Sequence, residues 1–166
     1  MFNKKLFFAL ALIATSFISN AQKLEKGTNL IGGNISYLNV EGGEALLASI
    51  PFSKMLSNSF ALGGNLTYVN YGGRTSSFIV GPQAKYYFNG EKALKPYLIG
   101  NLGVDLERPT LGYGAGVGLA NFLNDYVSID LTATYGTTTN YASVYTASSR
   151  NTFLVQVGFQ IYLPKK

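Results

Sequence analysis

The feature that most constrains this chain is a two-residue alternation of apolar and polar side chains, which recurs in segment after segment. It is clearest near the C-terminus, where every second residue from Phe153 to Leu163 is Phe, Val, Ile or Leu. The positions between them include Gln156, Gly158 and Gln160. A period of two sustained from residue 153 to residue 163 predicts a β-strand rather than a helix. The length also suits a bilayer, which a tilted strand crosses in about 9–11 residues.

The same alternation recurs in seven earlier segments, which are separated by turn residues such as Gly, Asn and Asp. The eight predicted strands are Ile31–Val40, Glu44–Phe52, Phe60–Tyr71, Phe78–Phe88, Tyr97–Glu107, Leu111–Phe122, Tyr126–Tyr135 and Phe153–Leu163. The segment Glu44–Phe52 is the weakest, because its Ala-Leu-Leu-Ala core also suits a helical turn. Pro82 lies inside a strand, where its missing N–H predicts a bulge or a local gap in the ladder. We expect residues 136–150, rich in Thr, Ser, Tyr and Ala, to form one long loop.

The character of the polar positions indicates which face meets water. Only 13% of the residues are charged, about half the share found in soluble domains. The alternating polar positions are mostly neutral Asn, Ser, Thr and Gln, whereas a soluble barrel would carry many Lys and Glu there. The sequence therefore predicts an inverted barrel with apolar side chains toward lipid and a narrow polar lumen. Such a barrel must be closed, because an open sheet edge would leave unpaired backbone groups in hydrocarbon.

Aromatic residues near the predicted strand ends suggest girdles at two membrane interfaces. One group comprises Phe52, Phe60, Tyr86, Phe88, Phe122 and Tyr126. The other comprises Tyr37, Tyr68, Tyr71, Phe78, Tyr113 and Tyr135. The general preference of aromatic residues for strands is the alternative explanation.

Residues 1–21 predict a secretory signal peptide. Lys4 and Lys5 supply the basic region, residues 6–18 are apolar, and Asn20-Ala21 precedes Gln22 as a cleavage site. The apolar run is shorter than the roughly 18–20 residues of a spanning helix, although a retained membrane anchor is the alternative. We therefore expect an exported chain with a single barrel domain at residues 22–166.

The composition excludes several kinds of chemistry. The chain has no cysteine and no histidine, so disulfides, thiol nucleophiles, Ser-His-Asp catalysis and nearly every zinc site are excluded. The formal net charge is +5, but no Lys/Arg-rich run accompanies it, and we expect no nucleic-acid partner. The sequence thus predicts neither enzymatic activity nor a metal or other cofactor.

Four stretches of the chain resemble the small outer-membrane β-barrel proteins of the OmpA/OmpX-like type. They are residues 21–22, 51–63, 81–88 and 157–162. The resemblance implies an all-β, eight-stranded antiparallel up-and-down transmembrane barrel in the outer membrane of a Gram-negative bacterium. It also implies periplasmic termini and a last strand read by the barrel assembly machinery, although this chain ends in Leu163-Pro164-Lys165-Lys166 rather than on an aromatic residue. Because the chain ends there, we expect no peptidoglycan-binding domain of the kind that some relatives carry.

Four charged residues are predicted to face the lumen: Lys85, Asp105, Glu107 and Asp130. A charge in a narrow lumen must be paired or hydrated, so we expect Lys85 to pair with Asp105 or Asp130. The cluster is either a packed polar core or a gate for a small conductance, and side chains just fill the interior of an eight-stranded barrel. Alternate glycines from Gly112 to Gly118 are expected to make room for larger lumen side chains.

If the termini are periplasmic, Arg74, Arg108 and Arg150 are expected in three outer loops. Every lysine of the exported chain except Lys85 is then expected at a periplasmic turn or terminus. Arginine pairs with phosphate in bidentate fashion, which suggests contacts with lipopolysaccharide phosphates. Ordinary loop charge is the alternative explanation.

The sequence thus predicts a non-enzymatic integral outer-membrane barrel with a structural or surface-interaction role of the adhesion type. Loops on rigid scaffolds carry binding, so Tyr141 and Tyr145 in the long loop are the candidate contacts. The alternatives are a narrow outer-membrane channel and a secreted, lipocalin-like carrier of a small apolar ligand. The expected surroundings are outer-membrane lipid and lipopolysaccharide, and the expected state is a monomer.

Overall fold

The structure, a computed structural model, describes residues 24–40, 43–71, 75–88, 93–140 and 149–164. Its strands are β1 (Asn29–Val40), β2 (Gly43–Met55), β3 (Phe60–Tyr71), β4 (Thr75–Tyr87), β5 (Leu94–Asp105), β6 (Thr110–Asn124), β7 (Val127–Asn140) and β8 (Ser149–Leu163). Each strand pairs antiparallel with the next, and β8 pairs with β1, so the sheet closes into a barrel. The predicted fold class is confirmed. In the ranges described, no helix is long and apolar enough to cross a membrane.

The barrel has two ends, which we distinguish by the chain. The terminal end carries the start of β1, the end of β8 and the connections β2–β3, β4–β5 and β6–β7; the distal end carries the other connections. Two turns at the terminal end are capped by side chains. The Ser57 hydroxyl accepts the Phe60 N–H at 3.0 Å, and Asn124 Oδ1 accepts the Tyr126 N–H at 2.8 Å. These short polar side chains satisfy backbone groups where the ladder stops.

The outward-facing positions of the strands are predominantly apolar. Leu62, Val104, Ile129 and Val157 expose between 39% and 57% of their surface, whereas Gln83 is buried. Because neighbouring positions on a strand point to opposite faces, one register places the apolar set outside and the polar set inside. The predicted inversion is confirmed, and the exterior suits hydrocarbon rather than water.

Inward glycines allow the wall to bend tightly and the lumen to be filled. A Cβ at Gly63 would collide with the carbonyl oxygen of Phe52 on the neighbouring strand, and one at Gly118 would collide with the ring of Tyr97. Glycine is used in sheets where the backbone bends or where another group approaches closely. The second contact confirms that a glycine of the β6 stripe makes room for a large lumen side chain.

Pro82 interrupts the β4–β5 ladder without changing its register. Pairing runs as far as Val80 with Val104 and resumes at Gln83 with Asn101. Of the two alternatives predicted at Pro82, the local gap in the ladder is therefore present. A register shift is found instead in the β6–β7 ladder, between Phe122 and Asn124.

Of two less certain segment assignments, one is confirmed and the other is wrong in part. The uncertain segment Glu44–Phe52 is a strand and forms most of β2. The predicted loop 136–150 is wrong for residues 136–140 and 149–150, which extend β7 and β8 and pair as far as Thr139 with Ser149. The run of threonines in this hairpin is β-branched and favours strands, an effect that outweighs its polarity.

Candidate functional site

Four aromatic side chains fill the lumen toward the terminal end. They are Tyr87, Tyr97, Phe122 and Tyr162, and each is at most 1% exposed. The ring centroids of Tyr87 and Tyr97 lie 5.3 Å apart, and those of Phe122 and Tyr162 lie 4.8 Å apart, both in tilted arrangements. Such geometry is favourable beyond the burial of apolar area alone. We call these four residues the aromatic plug; Leu24, Leu30 and Met55 belong to the same buried cluster.

A charged network lies against the aromatic plug. The Lys85 ammonium donates to Gln160 Oε1 at 2.8 Å and lies 3.5 Å from Asp130 Oδ2. It also lies 4.8 Å from the centroid of the Tyr97 ring, over its face. On the other side of the carboxylate, the Ser128 hydroxyl donates to Asp130 Oδ1 at 2.5 Å. We call Lys85, Asp130, Gln160 and Ser128 the Lys85 network.

The geometry shows how the lumen tolerates a buried lysine. The ion pair with Asp130 is long, so the shorter hydrogen bond to Gln160 orients the ammonium while the carboxylate neutralises its charge. The electron-rich face of Tyr97 adds a favourable cation–π contact. A buried charge without such partners would cost several kcal/mol. The network therefore holds β4, β7 and β8 together across the lumen.

The tyrosine hydroxyls connect the aromatic plug to the same network. The Tyr87 hydroxyl donates to Gln160 Oε1 at 3.4 Å. The Tyr97 hydroxyl and the Thr132 hydroxyl are 2.5 Å apart, and those of Tyr162 and Ser128 are 3.4 Å apart. Buried tyrosines generally find a polar partner in this way. The terminal half of the lumen is thus filled by side chains whose polar atoms mostly bond to each other.

The distal half of the lumen is lined by smaller groups. Ser36, Ser49, Thr67, Ser77 and Thr134 are buried there, and the glycines of β6 lie on the same inner face of the wall. The hydroxyls of Ser49 and Ser77 make no hydrogen bond with any described residue. Buried hydroxyls of this kind are normally satisfied by water, so this half of the lumen is suited to hydration.

The four predicted lumen charges do not form one cluster. Asp105 pairs in the ladder with Ile79, six residues along β4 from Lys85, which corresponds to about 20 Å at about 3.3 Å per residue. Its Oδ1 accepts the backbone N–H groups of Glu107 and Arg108 at 2.9 and 3.1 Å. Asp105 therefore caps the β5–β6 turn.

The prediction that Glu107 faces the lumen is wrong, because Glu107 lies beyond the end of β5 and is exposed. Its polar neighbour Asp105 terminates the strand by bonding to the turn, which breaks the alternation on which the lumen assignment depended.

Two further side chains lie inside although the sequence placed them elsewhere. Lys95, expected at a terminal turn, is the second residue of β5 and is buried on its inward face. Phe122, expected in an outer girdle, belongs to the aromatic plug. Both positions follow from the two-residue period, since Lys95 shares a face with Tyr97 and Phe122 shares one with Gly118. The same count would have placed Tyr87 inside from Lys85.

Other girdle residues face outward. Phe52, Tyr86, Phe88 and Tyr126 are exposed toward the terminal end, and Tyr37, Phe78, Tyr113 and Tyr135 toward the distal end. Phe60 and Tyr68 are half-buried. The side chain of Tyr71 lies outside the described part of the chain.

The candidate surface residues are described only in part. Arg108 is half-buried in the β5–β6 turn at the distal end. Arg150, expected in a loop, lies in β8 opposite Thr138, so that assignment is corrected; its side chain is not described. Arg74, Tyr141 and Tyr145 lie outside the described residues. Among the residues described, no group of three or more acidic, His or Cys side chains could hold a metal ion.

Solved structures share the architecture at low sequence identity. The N-terminal β-barrel domain of Pseudomonas aeruginosa OprF is 13% identical, with a TM-score of 0.55 over 83% of this chain and 98% of that one. Neisserial surface protein A is 15% identical, with a TM-score of 0.58 over 81% and 94%. A de novo designed transmembrane β-barrel is 13% identical, with a TM-score of 0.57 over 86% and 100%. No protein-family model matches the chain, and no curated protein does. The fold and its inverted faces define the class as an eight-stranded transmembrane β-barrel.

Proposed function

We propose that this protein is a non-enzymatic, integral barrel of the outer membrane of a Gram-negative bacterium, with a structural or surface-interaction role. The observation that carries the proposal is the combination of an apolar outer wall with a lumen filled at the terminal end. The wall is stable against hydrocarbon, and closure satisfies its backbone groups. A filled lumen leaves the distal connections as the natural contact surface.

Export and orientation are parts of the same proposal. A signal peptide at residues 1–21 would bring the chain across the inner membrane, and the barrel assembly machinery would insert it with the terminal end in the periplasm. The distal hairpins, including the long β7–β8 hairpin, would then face the outside of the cell.

Cell fractionation followed by gel electrophoresis tests this proposal. We expect the protein in the outer-membrane fraction, and we expect the unboiled sample to migrate differently from the boiled one because the closed barrel survives detergent. Recovery in a soluble fraction without detergent would instead favour the lipocalin-like carrier. The aromatic plug argues against that carrier, since it occupies space in which an apolar ligand would bind.

We also propose that Arg74, Arg108 and Arg150 contact lipopolysaccharide phosphates at the distal end. Guanidinium groups match phosphate in bidentate geometry. The triple variant Arg74→Gln, Arg108→Gln, Arg150→Gln should retain less lipopolysaccharide after purification and melt at a lower temperature in its presence. Lys26→Gln at the terminal end is the matched control. Unchanged lipopolysaccharide retention in the triple variant would contradict the proposal.

For the surface-interaction role, Tyr141 and Tyr145 are the proposed contacts. Tyrosines offer a large contact area and a hydroxyl at little cost in side-chain entropy. We expect Tyr141→Ala with Tyr145→Ala to reduce attachment of cells to a host-cell or abiotic surface, while Tyr126→Ala at the terminal end should leave attachment unchanged. Equal attachment by all three strains would contradict the role of this loop.

A narrow channel is a second candidate function, favoured by the hydroxyl-lined distal half of the lumen. Its conductance would be limited by the Lys85 network. Recordings in planar bilayers distinguish the two functions, since a structural barrel should pass no stepwise current. Currents in the wild-type barrel that change on substitution Lys85→Gln would support the channel.

A further inference from the structure

The outer wall carries a continuous trough that neither the closure of the barrel nor the filling of its lumen requires. Ala84 on β4 pairs with Gly100 on β5, and Gly100 pairs with Ala115 on β6. Three adjacent strands therefore present their smallest outward residues in a single row across the ladder. Leu62 on β3 continues this row at one end, and Tyr135 on β7 continues it at the other. These five residues are among those that line an apolar groove of about 630 Å³, a volume typical of small-molecule sites.

Larger side chains form the two walls of the trough. The wall nearer the distal end is formed by Pro82, Leu102 and Tyr113, each two residues along its strand from the small row. These three residues also line the groove. The wall nearer the terminal end is formed by Tyr86, Leu98 and Val117, again two residues along each strand. Leu98 pairs with Tyr86 and with Val117 in the ladder, and all three are exposed. Because outward residues two apart on a strand are about 7 Å apart, the small row lies in a slot between two raised rows. The slot crosses the strands from β3 to β7, a span of about 19 Å at about 4.8 Å per strand.

An outward-facing lysine lies where the row meets the terminal rim. Lys54 near the end of β2 pairs with Leu62, so it belongs to the same row as the trough. It is exposed, and it is the one outward-facing lysine or arginine among the strand residues whose side chains are described. A lysine at this depth extends its ammonium to the level of the lipid headgroups.

We propose that the trough binds one acyl chain of an anionic glycerophospholipid from the leaflet at the terminal end. Lys54 binds the headgroup phosphate, and the chain lies along Leu62, Ala84, Gly100 and Ala115. The inference rests on the proposed function, because it requires the barrel to be in a bilayer. Within a bilayer the apolar lining selects hydrocarbon, while the charge of Lys54 selects the anionic headgroup. A second groove, of about 420 Å³, lies on the opposite wall over Gly33 and Ala48. Its small residues occupy different rows, and no lysine or arginine pairs with any residue of its described lining, whereas Lys54 pairs with Leu62 of the trough.

The trough can be filled without disturbing the fold. A Cβ at Gly100 would meet no atom within 4 Å, so Gly100→Leu places a branched side chain into the slot without a clash at its base. Ala133→Leu on β7 is the matched control, because Ala133 faces outward between Val117 and Val155 and does not line the groove. Lys54→Gln tests the headgroup contact, with Glu44→Gln at the other end of β2 as its control.

The test is native mass spectrometry of the barrel released from nanodiscs of phosphatidylglycerol and phosphatidylcholine in equal amounts. We expect the wild type and Ala133→Leu to retain one phosphatidylglycerol. Gly100→Leu should retain about tenfold less lipid, since the buried methylenes lose their site. Lys54→Gln should lose about fivefold in the preference for phosphatidylglycerol over phosphatidylcholine. Glu44→Gln should keep the wild-type preference.

The outcomes separate this inference from the proposed function. Boiling-dependent gel mobility establishes insertion of each variant, so a wild type that fails to insert overturns the proposed function. A Gly100→Leu barrel that inserts and retains as much lipid as Ala133→Leu overturns the trough as a lipid site. A dimer of the wild type that Gly100→Leu abolishes also overturns it, because the occupant would then be a second copy of the chain.

Discussion

The two halves of the lumen occupy the space inside the barrel in different ways. Toward the terminal end, the aromatic plug and the Lys85 network fill the space, and most of their polar atoms bond to protein partners. Toward the distal end the lining consists of serines, threonines and glycines, and the hydroxyls of Ser49 and Ser77 bond to no described protein group. Both halves are surrounded by the same apolar wall and built from the same two-residue period.

The difference indicates where the barrel derives its rigidity. Aromatic packing and the hydrogen bonds to Lys85 define one arrangement of side chains, because displacing Asp130 or Gln160 leaves the buried ammonium without a partner; Gln160 Nε2 is the one polar side-chain atom of the Lys85 network with no partner among the described residues. A hydroxyl-lined space imposes no such constraint, since water adapts to small changes. We therefore expect substitutions in the terminal half to affect stability strongly and equivalent substitutions in the distal half to have weak effects.

The largest expected effect comes from the two inward aspartates. Asp130→Ala leaves Lys85 buried without its counter-charge and should reduce the free energy of unfolding by about 3–5 kcal/mol. Asp105→Ala removes a turn cap at the distal end and should cost about 1–2 kcal/mol. Urea titration in lipid vesicles, with the folded fraction read from unboiled gels, measures both. Equal losses for the two variants would break the comparison between the halves.

A smaller contrast is expected within the β6 glycine stripe. Gly118→Ala directs a methyl group into the Tyr97 ring and should cost about 1–3 kcal/mol through overpacking. At Gly112 the added Cβ would have no neighbour closer than 3.7 Å, so Gly112→Ala should change stability by less than about 1 kcal/mol. The same titration applies. A tolerated Gly118→Ala would show that the ring of Tyr97 moves freely.

The smallest contrast concerns hydroxyl groups. Tyr97→Phe keeps the ring over Lys85 but removes the partner of Thr132, and should cost about 1 kcal/mol. Ser77→Ala removes a hydroxyl that bonds to no described protein group and should be nearly neutral, within about 0.5 kcal/mol. A destabilising Ser77→Ala would indicate that water in the distal half is held as firmly as the side chains of the terminal half.

Much of the fold could be predicted because alternation is a local property of the sequence, and closure follows from the hydrocarbon surroundings that the alternation implies. Seven of the eight strands follow from the two-residue period, Glu44–Phe52 follows from its position between two of them, and the inverted faces follow from the neutral character of the polar set. The errors occur where a local rule competes with another. Residues 136–140 are polar enough to suggest a loop, yet threonine is a good strand former. Glu107 continues the alternation in the sequence, yet Asp105 accepts backbone N–H groups of the turn and the strand ends there.

The contacts of the Lys85 network were harder to predict from the sequence than the strands were. Lys85, Asp130 and Gln160 come from three strands and meet only across the lumen, so no spacing along the chain encodes their contact. The sequence limited the partner of Lys85 to two aspartates, and the structure brings Asp130 to it. The tyrosines of the lumen were missed because aromatic residues in a membrane barrel are expected outside, although the period starting at Lys85 already places Tyr87 inside.

The pairing of β8 with β1 has a consequence for the order of assembly. Tyr162 lies opposite Leu30, and Gln160 lies opposite Gly32. The last strand of the barrel to be synthesised therefore supplies both the final backbone partners of the first strand and the amide that orients Lys85. Until that segment arrives, an intermediate has two unsatisfied edges and an ammonium without its closest acceptor. Folding should accordingly proceed in one late, concerted step rather than strand by strand.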